Sequence, residues 1–225
     1  MTAFACEPLD SGINWWDQAT DFPPDETQED RRAGTRIQSA QFEGGILKLA
    51  VVRGTIEWGF LVPEPMFGEN PGVPLGQHLE PFRQIVHRWM EDCPGLSRMA
   101  FGSILRLPVA TREAGYEQIS NYLNFDLDPQ SFDFNYQINR PRRSVLAGPD
   151  LKINRLTRWS VGRNIRIAIE GGQVRQELQT PYCRVELDIN TDAEHVGPLP
   201  AQLLHQLYDE LIGMGREIVQ EGDVS

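Results

Sequence analysis

The residues best suited to binding chemistry in this 225-residue chain lie in one stretch. Between positions 140 and 163 the sequence places six arginines and one tryptophan: Arg140, Arg142, Arg143, Arg155, Arg158, Trp159 and Arg163. A guanidinium donates paired, planar hydrogen bonds to phosphate or carboxylate, and an indole ring offers a face on which a base can stack. These side chains are therefore candidate binding residues for an anionic partner.

Charge is unevenly distributed along the chain, whose formal net charge is −11. Residues 1–30 contain eight acidic and no basic residues, and residues 185–225 contain nine acidic residues against Arg216 alone. Residues 134–184 contain nine arginines and Lys152 against three acidic residues. The basic stretch is therefore either matched internally by the acidic ends or forms a binding face on an otherwise anion-repelling molecule.

Strand periodicity predicts where the arginines lie. They alternate with isoleucines at positions 138, 153, 165 and 167, and a strand that buries its isoleucines turns the neighbouring side chains outward. We expect the arginines on the exposed side and in the loops of an antiparallel sheet, largely paired with carboxylates from the acidic ends. Exposed pairs contribute only about 0 to 1 kcal/mol each, so their main effect is on what can dock there.

Sequence patterns of common enzymes are missing. There is no GxGxxG after a strand, no GxxxxGK[ST] loop, no HExxH and no GxSxG, and the four histidines are dispersed. Cys183 with His205 has the residue types of a nucleophilic pair, but its strand position is more typical of a small buried side chain. Glu186 and Asp188 share a strand face that suits solvent and arginines better than magnesium. We predict no catalytic residues, no metal site and no cofactor.

Composition and length are typical of a globular protein that folds without covalent crosslinks. A chain of this length buries roughly 70% of the surface that its unfolded form exposes. No stretch approaches the roughly 18–20 uninterrupted apolar residues of a membrane-spanning helix, and the N-terminus lacks the basic and apolar regions of a secretory signal. Cys6, Cys93 and Cys183 form no paired motif. We expect a cytoplasmic protein with reduced thiols and no membrane association.

The first 35 residues mix Asp, Glu, Pro and Gly without helical or strand periodicity. This composition predicts an acidic, loosely ordered N-terminal arm over residues 1–35. Trp15 and Trp16 within it are costly to leave in water, so they either dock the arm onto the body or anchor a partner protein. We include both tryptophans among the candidate binding residues.

Residues 36–225 are predicted to form a single α+β domain of two similar halves, about 36–125 and 126–225. In the first half, residues 36–62 are predicted to form three strands with turns at Gly44-Gly45 and Arg53-Gly54. A helix over 77–93 follows, with Pro81 in its first turn. A strand over 97–107 and a helix capped by Thr111 complete this half.

The second half repeats this plan. Residues 131–139 alternate as a half-buried strand, residues 165–178 read as a hairpin around Gly171-Gly172, and the chain ends in an amphipathic helix that stops at Gly222. The predicted architecture is two antiparallel meanders, each covered by an amphipathic helix, which can share one continuous sheet.

Four segments together resemble a family: LKLAVVRGTIEWGF, PFRQIVHRWM, AFGSILRLPV and VELDINTD before an amphipathic helix. Their combination is similar to sporadically distributed, uncharacterised bacterial proteins of about this length. The resemblance covers residues 36–222 and implies an α+β fold and an accessory role near mobile-element or defence genes. It implies no catalytic residues, and the acidic Trp-Trp segment departs from the pattern.

These observations favour a non-catalytic module that binds another macromolecule, most plausibly a protein, in a bacterial or phage system of the defence or toxin–antitoxin type. A nucleic-acid or nucleotide-binding module that uses residues 140–163 is the alternative, and an enzyme with an unrecognised motif is a third. A homo-oligomer is compatible with each of them.

Overall fold

The computed structural model describes residues 1–7, 9, 13–62, 75–170 and 173–223, without the side chains of residues 75, 164–170 and 173–179. Two predictions lie outside the described residues. They concern the turn at Gly171 and Gly172 and the burial of Ile165 and Ile167.

The described chain is an α+β protein with one mostly antiparallel sheet, which confirms the predicted class. Its strands are β1 Thr2–Ala5, β2 Glu26–Asp30, β3 Thr35–Phe42, β4 Gly45–Val52, β5 Thr55–Leu61, β6 Leu96–Pro108, β7 Asn135–Asn139, β8 Arg142–Arg143, β9 Lys152–Glu170 and β10 Gln173–Thr191. The strand order is β2-β3-β4-β5-β1-β6-β10-β9-β7, and β8 pairs with β9. The helices are α1 Trp15–Ala19, α2 Leu75–Glu91, α3 Arg112–Ser120 and α4 Leu204–Glu221.

Two compact units make up the chain, and each is built from three separate stretches. The first unit comprises Met1–Phe101, Arg143–Ile153 and Asn190–Leu211, and the second comprises Gly102–Arg142, Asn154–Ile189 and Ile212–Ser225. The sequence suggested contiguous halves instead. The difference arises because β6, β9, β10 and α4 each contribute residues to both units.

In the first unit, β3, β4 and β5 form the predicted antiparallel meander. Arg53 and Gly54 have positive φ values of 45° and 87°, as a two-residue hairpin turn requires. The other turn is at Glu43 and Gly44 rather than at Gly44-Gly45. Gly45 begins β4, where an added Cβ would come within 2.6 Å of the Leu61 carbonyl oxygen.

The N-terminal segment differs from the predicted loose arm. Thr2 of β1 pairs with Glu57 of β5 on one side and with Ala100 of β6 on the other, so β1 is an interior strand of the sheet. Residues 26–30 form β2, which pairs with β3. Acidic composition suggested disorder here, but backbone pairing of β1 and β2 with their neighbours outweighs that local preference.

The helix of the first unit that follows the meander is amphipathic as predicted. Its buried side chains are Leu79, Phe82, Ile85, Val86, Trp89 and Met90. Pro81 lies inside α2 rather than in its first turn, because the helix is already formed at Leu75. None of the described helices has the length and apolar character needed to cross a bilayer.

In the second unit, Thr111 caps α3 as predicted, since its hydroxyl accepts a hydrogen bond from the Ala114 amide at 3.1 Å. The predicted strand over 131–139 is shorter, because only 135–139 pairs with β9 and Phe132 is exposed. Gly222 ends α4 with φ 86°, and an added Cβ there would overlap the Tyr122 carbonyl group.

Candidate functional site: the arginine–carboxylate network

Three of the candidate arginines form ion pairs with two carboxylates in the second unit. We call this set, Arg140, Arg142, Arg155, Glu217 and Asp223, the arginine–carboxylate network. Both carboxylates come from the C-terminal acidic segment, Glu217 from α4 and Asp223 just beyond it. Pairing with an acidic end is what the internal-match interpretation of the charge pattern predicts.

Asp223 is the most buried carboxylate of the network, with a side-chain exposure of 5%. Arg140 donates to it through Nε at 2.7 Å and through a terminal nitrogen at 3.1 Å, and the Tyr136 hydroxyl donates at 2.9 Å. Its own amide donates to the Tyr122 carbonyl oxygen at 2.8 Å, which fixes the chain after the helix. Burial raises the pKa of Asp223, but the hydrogen bonds from Arg140 and Tyr136 outweigh it, so the net pKa is below the ordinary value.

Glu217 accepts hydrogen bonds from two arginines. Arg142 donates two, at 2.7 and 2.8 Å, in the bidentate geometry that guanidinium and carboxylate favour. Arg155 donates a third at 3.3 Å. The hydrogen bonds from Arg142 lower the pKa of Glu217, so it is ionised at neutral pH.

Arg155 is buried, with 2% of its side chain exposed, whereas we expected the arginines on the exposed side of the sheet. The reason is strand parity: Ile153, Arg155, Thr157 and Trp159 share one face of β9, and all four are buried. Burial lowers the pKa of the Arg155 guanidinium, and its Nε and one terminal nitrogen have no hydrogen-bond partner among the described residues. The sequence places Arg155 two residues after Ile153, so its pattern could have indicated that Arg155 is buried.

Trp159 is also buried, and its ring stacks on that of Tyr122 with centroids 5.8 Å apart. Its indole nitrogen donates to the Thr157 hydroxyl at 3.3 Å. The ring predicted as a possible stacking platform for a base is therefore occupied by a side chain of the same unit.

The remaining candidate arginines are more exposed. Arg158 lies opposite Gln137 in the β7–β9 pair, donates to its side-chain oxygen at 2.8 and 3.2 Å, and lies 3.8 Å from a carboxylate oxygen of Glu186. Arg163 is exposed on β9. Arg143 is exposed, and its side chain has no ion-pair or hydrogen-bond partner within the described part of the chain. Arg143 is thus the candidate cation most available to a partner.

Trp15 and Trp16 belong to the core of the first unit and are not surface anchors. Trp16 is 0% exposed, donates through its indole nitrogen to the Phe22 carbonyl oxygen at 2.8 Å and packs on Trp58. Trp15 meets Trp89 edge to face, with centroids 6.5 Å apart. Of the two alternatives, the structure shows that the tryptophans dock the N-terminal segment onto the body of the first unit. These rings are therefore not exposed binding residues.

The structure also shows which groups surround Cys183 and the acidic residues near the end of β10. Cys183 is buried, burial raises the pKa of its thiol to about 11, and the thiol donates to the Gly115 carbonyl oxygen at 3.4 Å. Glu186 pairs with Arg184 at 3.2 Å, and Asp192 pairs with Lys152 at 3.2 Å. Among the described residues no three His, Cys, Asp or Glu side chains are arranged to hold a metal ion.

Sequence reasoning missed a histidine cluster in the first unit. The His87 and His205 rings stack with centroids 4.7 Å apart, and His87 Nε2 lies 3.0 Å from a carboxylate oxygen of Asp209. Arg83 also donates two hydrogen bonds to Asp209, at 2.8 and 2.9 Å. These residues lie more than a hundred positions apart in the chain, so only the packing of α2 against the first half of α4 brings them together.

A rigidly held loop follows Arg143 in the first unit. Ser144 is buried and its hydroxyl donates to Glu210 at 2.7 Å, and the other carboxylate oxygen of Glu210 accepts from the Val145 amide at 2.8 Å. The Ser144 hydroxyl also accepts from the amides of Leu146 and Ala147, at 3.2 and 2.9 Å. We call residues 143–147 the Val145 loop. It presents Val145, 84% exposed, and Leu146, 42% exposed.

No protein-family model, curated protein or solved structure matches this chain.

Proposed function

We propose that this chain is a non-catalytic module that binds another protein, with the Val145 loop as a recognition element. The observation that carries the proposal is the exposure of Val145 and Leu146 on a loop whose backbone is held by hydrogen bonds. Single exposed apolar residues are common on protein surfaces and need no explanation alone. Here the loop is also fixed in place by Ser144 and Glu210.

Rigidity of the loop favours binding because little conformational entropy remains to be lost. A loop that is already ordered avoids much of the cost of immobilising backbone and side chains at an interface. Glu210 therefore supports recognition indirectly, by holding the loop backbone rather than by contacting the partner.

The chemistry of the loop indicates the chemistry of its partner. Val145 and Leu146 fit an apolar pocket, and the neighbouring Arg143 guanidinium is exposed to pair with a carboxylate at its rim. The expected partner surface is therefore an apolar pocket bordered by Asp or Glu.

The arginine–carboxylate network supports a protein partner over a nucleic acid. Arg140, Arg142 and Arg155 already pair with carboxylates, and Trp159 is buried. A net charge of −11 also repels a polyanion at long range.

Site-specific photocrosslinking tests this function. A photoreactive phenylalanine analogue is introduced at Val145 in the full chain, in the cells that produce the protein, and in a matched chain at Val196, another exposed valine of the first unit. We expect a discrete protein adduct from position 145 but not from position 196. Introducing Arg143→Glu into the position-145 chain should reduce the adduct at least about fivefold, as loss of one rim ion pair predicts.

A nucleic-acid function has a different signature. A labelled single-stranded oligonucleotide should show no binding at about 50 mM salt, where electrostatic contacts are strong. Binding that falls steeply with salt, together with a nucleic-acid adduct at position 145, would replace the protein-binding proposal. Absence of any specific adduct at position 145 would remove the loop as its recognition element.

A further inference from the structure

A cleft lies between α3 and the chain that follows this helix in the second unit. Its volume is about 590 Å³, and its lining includes Ala114 of α3 together with Leu127 and Pro129 of the following chain. Protein clefts that hold a ligand commonly have volumes of about 300–1,000 Å³. We call this site the α3 cleft.

Two carboxylates on the lining of the α3 cleft are available to a cation. Glu117 and Asp126 are exposed, and neither has an ion-pair or hydrogen-bond partner among the residues that the structure describes. A third acidic residue of the lining, Glu113, is already paired with Arg112 at 3.1 Å. Apolar side chains beside two unpaired carboxylates suit a ligand that presents apolar groups and a cation together.

Hydrogen bonds hold the α3 cleft in shape. The Ser120 hydroxyl accepts from the Leu127 amide at 3.2 Å, which ties the following chain to the last residue of α3. The Asp128 carboxylate accepts from the Gln130 amide at 2.9 Å. A preformed cleft, like a preformed loop, loses little conformational entropy when it binds.

The Val145 loop has the complementary features. Val145 and Leu146 are exposed apolar side chains, and the exposed Arg143 side chain has no ion-pair or hydrogen-bond partner in the described part of the chain. The chemistry of the loop alone calls for an apolar pocket bordered by Asp or Glu. The α3 cleft of this same chain is a pocket of that kind.

We propose that the partner of the Val145 loop is a second copy of this chain, whose α3 cleft receives the loop. This inference rests on the proposed recognition role of the loop and names its partner. The two apolar side chains of the loop contact the apolar lining of the cleft, and Arg143 pairs with Glu117 or Asp126 at the rim. The contact is heterologous because it joins two different surfaces.

The net charge of the chain does not prevent this contact at physiological salt. Each copy carries −11, but at an ionic strength of about 0.15 M exposed charges more than about 8 Å apart are largely screened. An ion pair at the contact itself is screened much less. One loop in one cleft buries less surface than the roughly 1,200 Å² of a stable complex, so the self-association should be weak.

Sedimentation equilibrium of the purified full-length chain tests this partner. The average mass should rise above that of one copy between about 10 and 500 µM protein, as a weak contact requires. Arg143→Glu sets a carboxylate against Glu117 and Asp126 and should weaken the association about tenfold or more. Neutralising the cleft with Glu117→Gln and Asp126→Asn together should weaken it about fivefold or more, because Arg143 then has no counter-ion.

Matched controls change the net charge equally at exposed positions of the first unit. Arg32→Glu is the control for the loop variant, and Glu7→Gln with Glu26→Gln is the control for the cleft variant. Both controls should leave the association unchanged. Self-association that the loop variant or the cleft variant also leaves unchanged would assign the contact to other surfaces and overturn the proposal.

Mixing the two variants shows whether the loop of one copy meets the cleft of another. The Arg143→Glu chain keeps an intact cleft, and the chain with the neutralised cleft keeps an intact loop. An equimolar mixture should therefore recover a pair that contains one copy of each. A mixture that associates no better than either variant alone would contradict the loop-in-cleft contact.

The photoreactive residue at position 145 separates a wrong partner from a wrong function. In the purified chain it should give an adduct of twice the chain mass, with the crosslink within residues 111–129. A purified chain that stays monomeric and uncrosslinked, while the same residue captures a different protein in cells, would exclude the second copy and leave the recognition role of the loop standing. No specific adduct in either setting would remove both proposals.

Discussion

Arg140 donates two hydrogen bonds to the Asp223 carboxylate, which connects the residue after β7 to the residue after the turn that ends α4. The pair is separated by 83 positions in the chain, and Asp223 is almost fully buried. An acidic C-terminal segment therefore folds onto the basic stretch and neutralises part of it.

Replacing Asp223 should reduce stability in a pH-dependent way. Because its folded pKa is depressed, the carboxylate stabilises the fold above the unfolded pKa near 4, and this contribution is lost as the pH falls through the folded value. We expect Asp223→Asn to lower the free energy of unfolding by about 2–3 kcal/mol at pH 7, measured by urea denaturation. Below pH 4 the variant should lose stability less steeply than the parent. Glu221→Gln, at an exposed position of α4, is the control and should change neither quantity.

Removing the counter-ion of the buried Arg155 should destabilise the fold more than replacing Arg155 itself. Glu217→Gln removes its counter-ion and should destabilise the chain by about 3 kcal/mol, whereas Arg155→Met should stay within about 1 kcal/mol of the parent. In the Arg155→Met background the cost of Glu217→Gln should fall by at least about 1 kcal/mol in a double-mutant cycle. Equal costs in both backgrounds would mean that Glu217 acts through Arg142 alone.

Neighbouring arginines should respond differently to charge reversal. The sequence suggested exposed arginines, whose ion pairs contribute only about 0 to 1 kcal/mol each. Arg142 instead forms a bidentate pair with Glu217, so Arg142→Glu should cost about 2–4 kcal/mol, whereas Arg143→Glu should change stability by less than about 0.5 kcal/mol. Thermal unfolding of the two single variants measures this contrast, and equal melting temperatures would contradict it.

His87 should make stability depend on pH near neutrality. Burial lowers its pKa, and His205 and Arg83 lower it further against the opposing effect of Asp209. Since the unfolded state then binds the proton more tightly, stability should decline as the pH falls below about 6.5. Denaturation curves between pH 7.5 and 5.5 should show this slope, and His87→Gln should reduce it. An unchanged slope in that variant would exclude His87 as its source.

The N-terminal segment should be required for folding. The sequence suggested a loosely ordered arm, but deleting residues 1–30 removes the interior strand β1 and the buried Trp15 and Trp16. We expect the truncated chain to lose cooperative unfolding in calorimetry, and Trp16→Ala alone to cost about 3–5 kcal/mol. A cooperative transition in the truncated chain would contradict the placement of β1.

Several elements could be predicted because their signals are local. The Arg53-Gly54 turn, the Thr111 cap and the Gly222 stop each depend on backbone conformations of a few adjacent residues. The alternation of β9 was also visible in the sequence, but the prediction that Arg155 is exposed was wrong, because Arg155 has the same parity as the buried Ile153. A correct count would have placed this arginine inside.

The sequence by itself therefore determined the α+β class, the meander over 36–62, the amphipathic helices and the separation of charge. Only the tertiary structure decided which carboxylate pairs with which arginine and that β1 lies inside the sheet. It also decided that His87 stacks on His205 and that β6 extends beyond its pairing with β1. Turn chemistry and periodicity act over a few residues, whereas the Arg142–Glu217 and Arg140–Asp223 pairs join residues 75 and 83 positions apart. Which distant groups meet depends on how the apolar faces of all the elements pack at once, and no local pattern encodes that outcome.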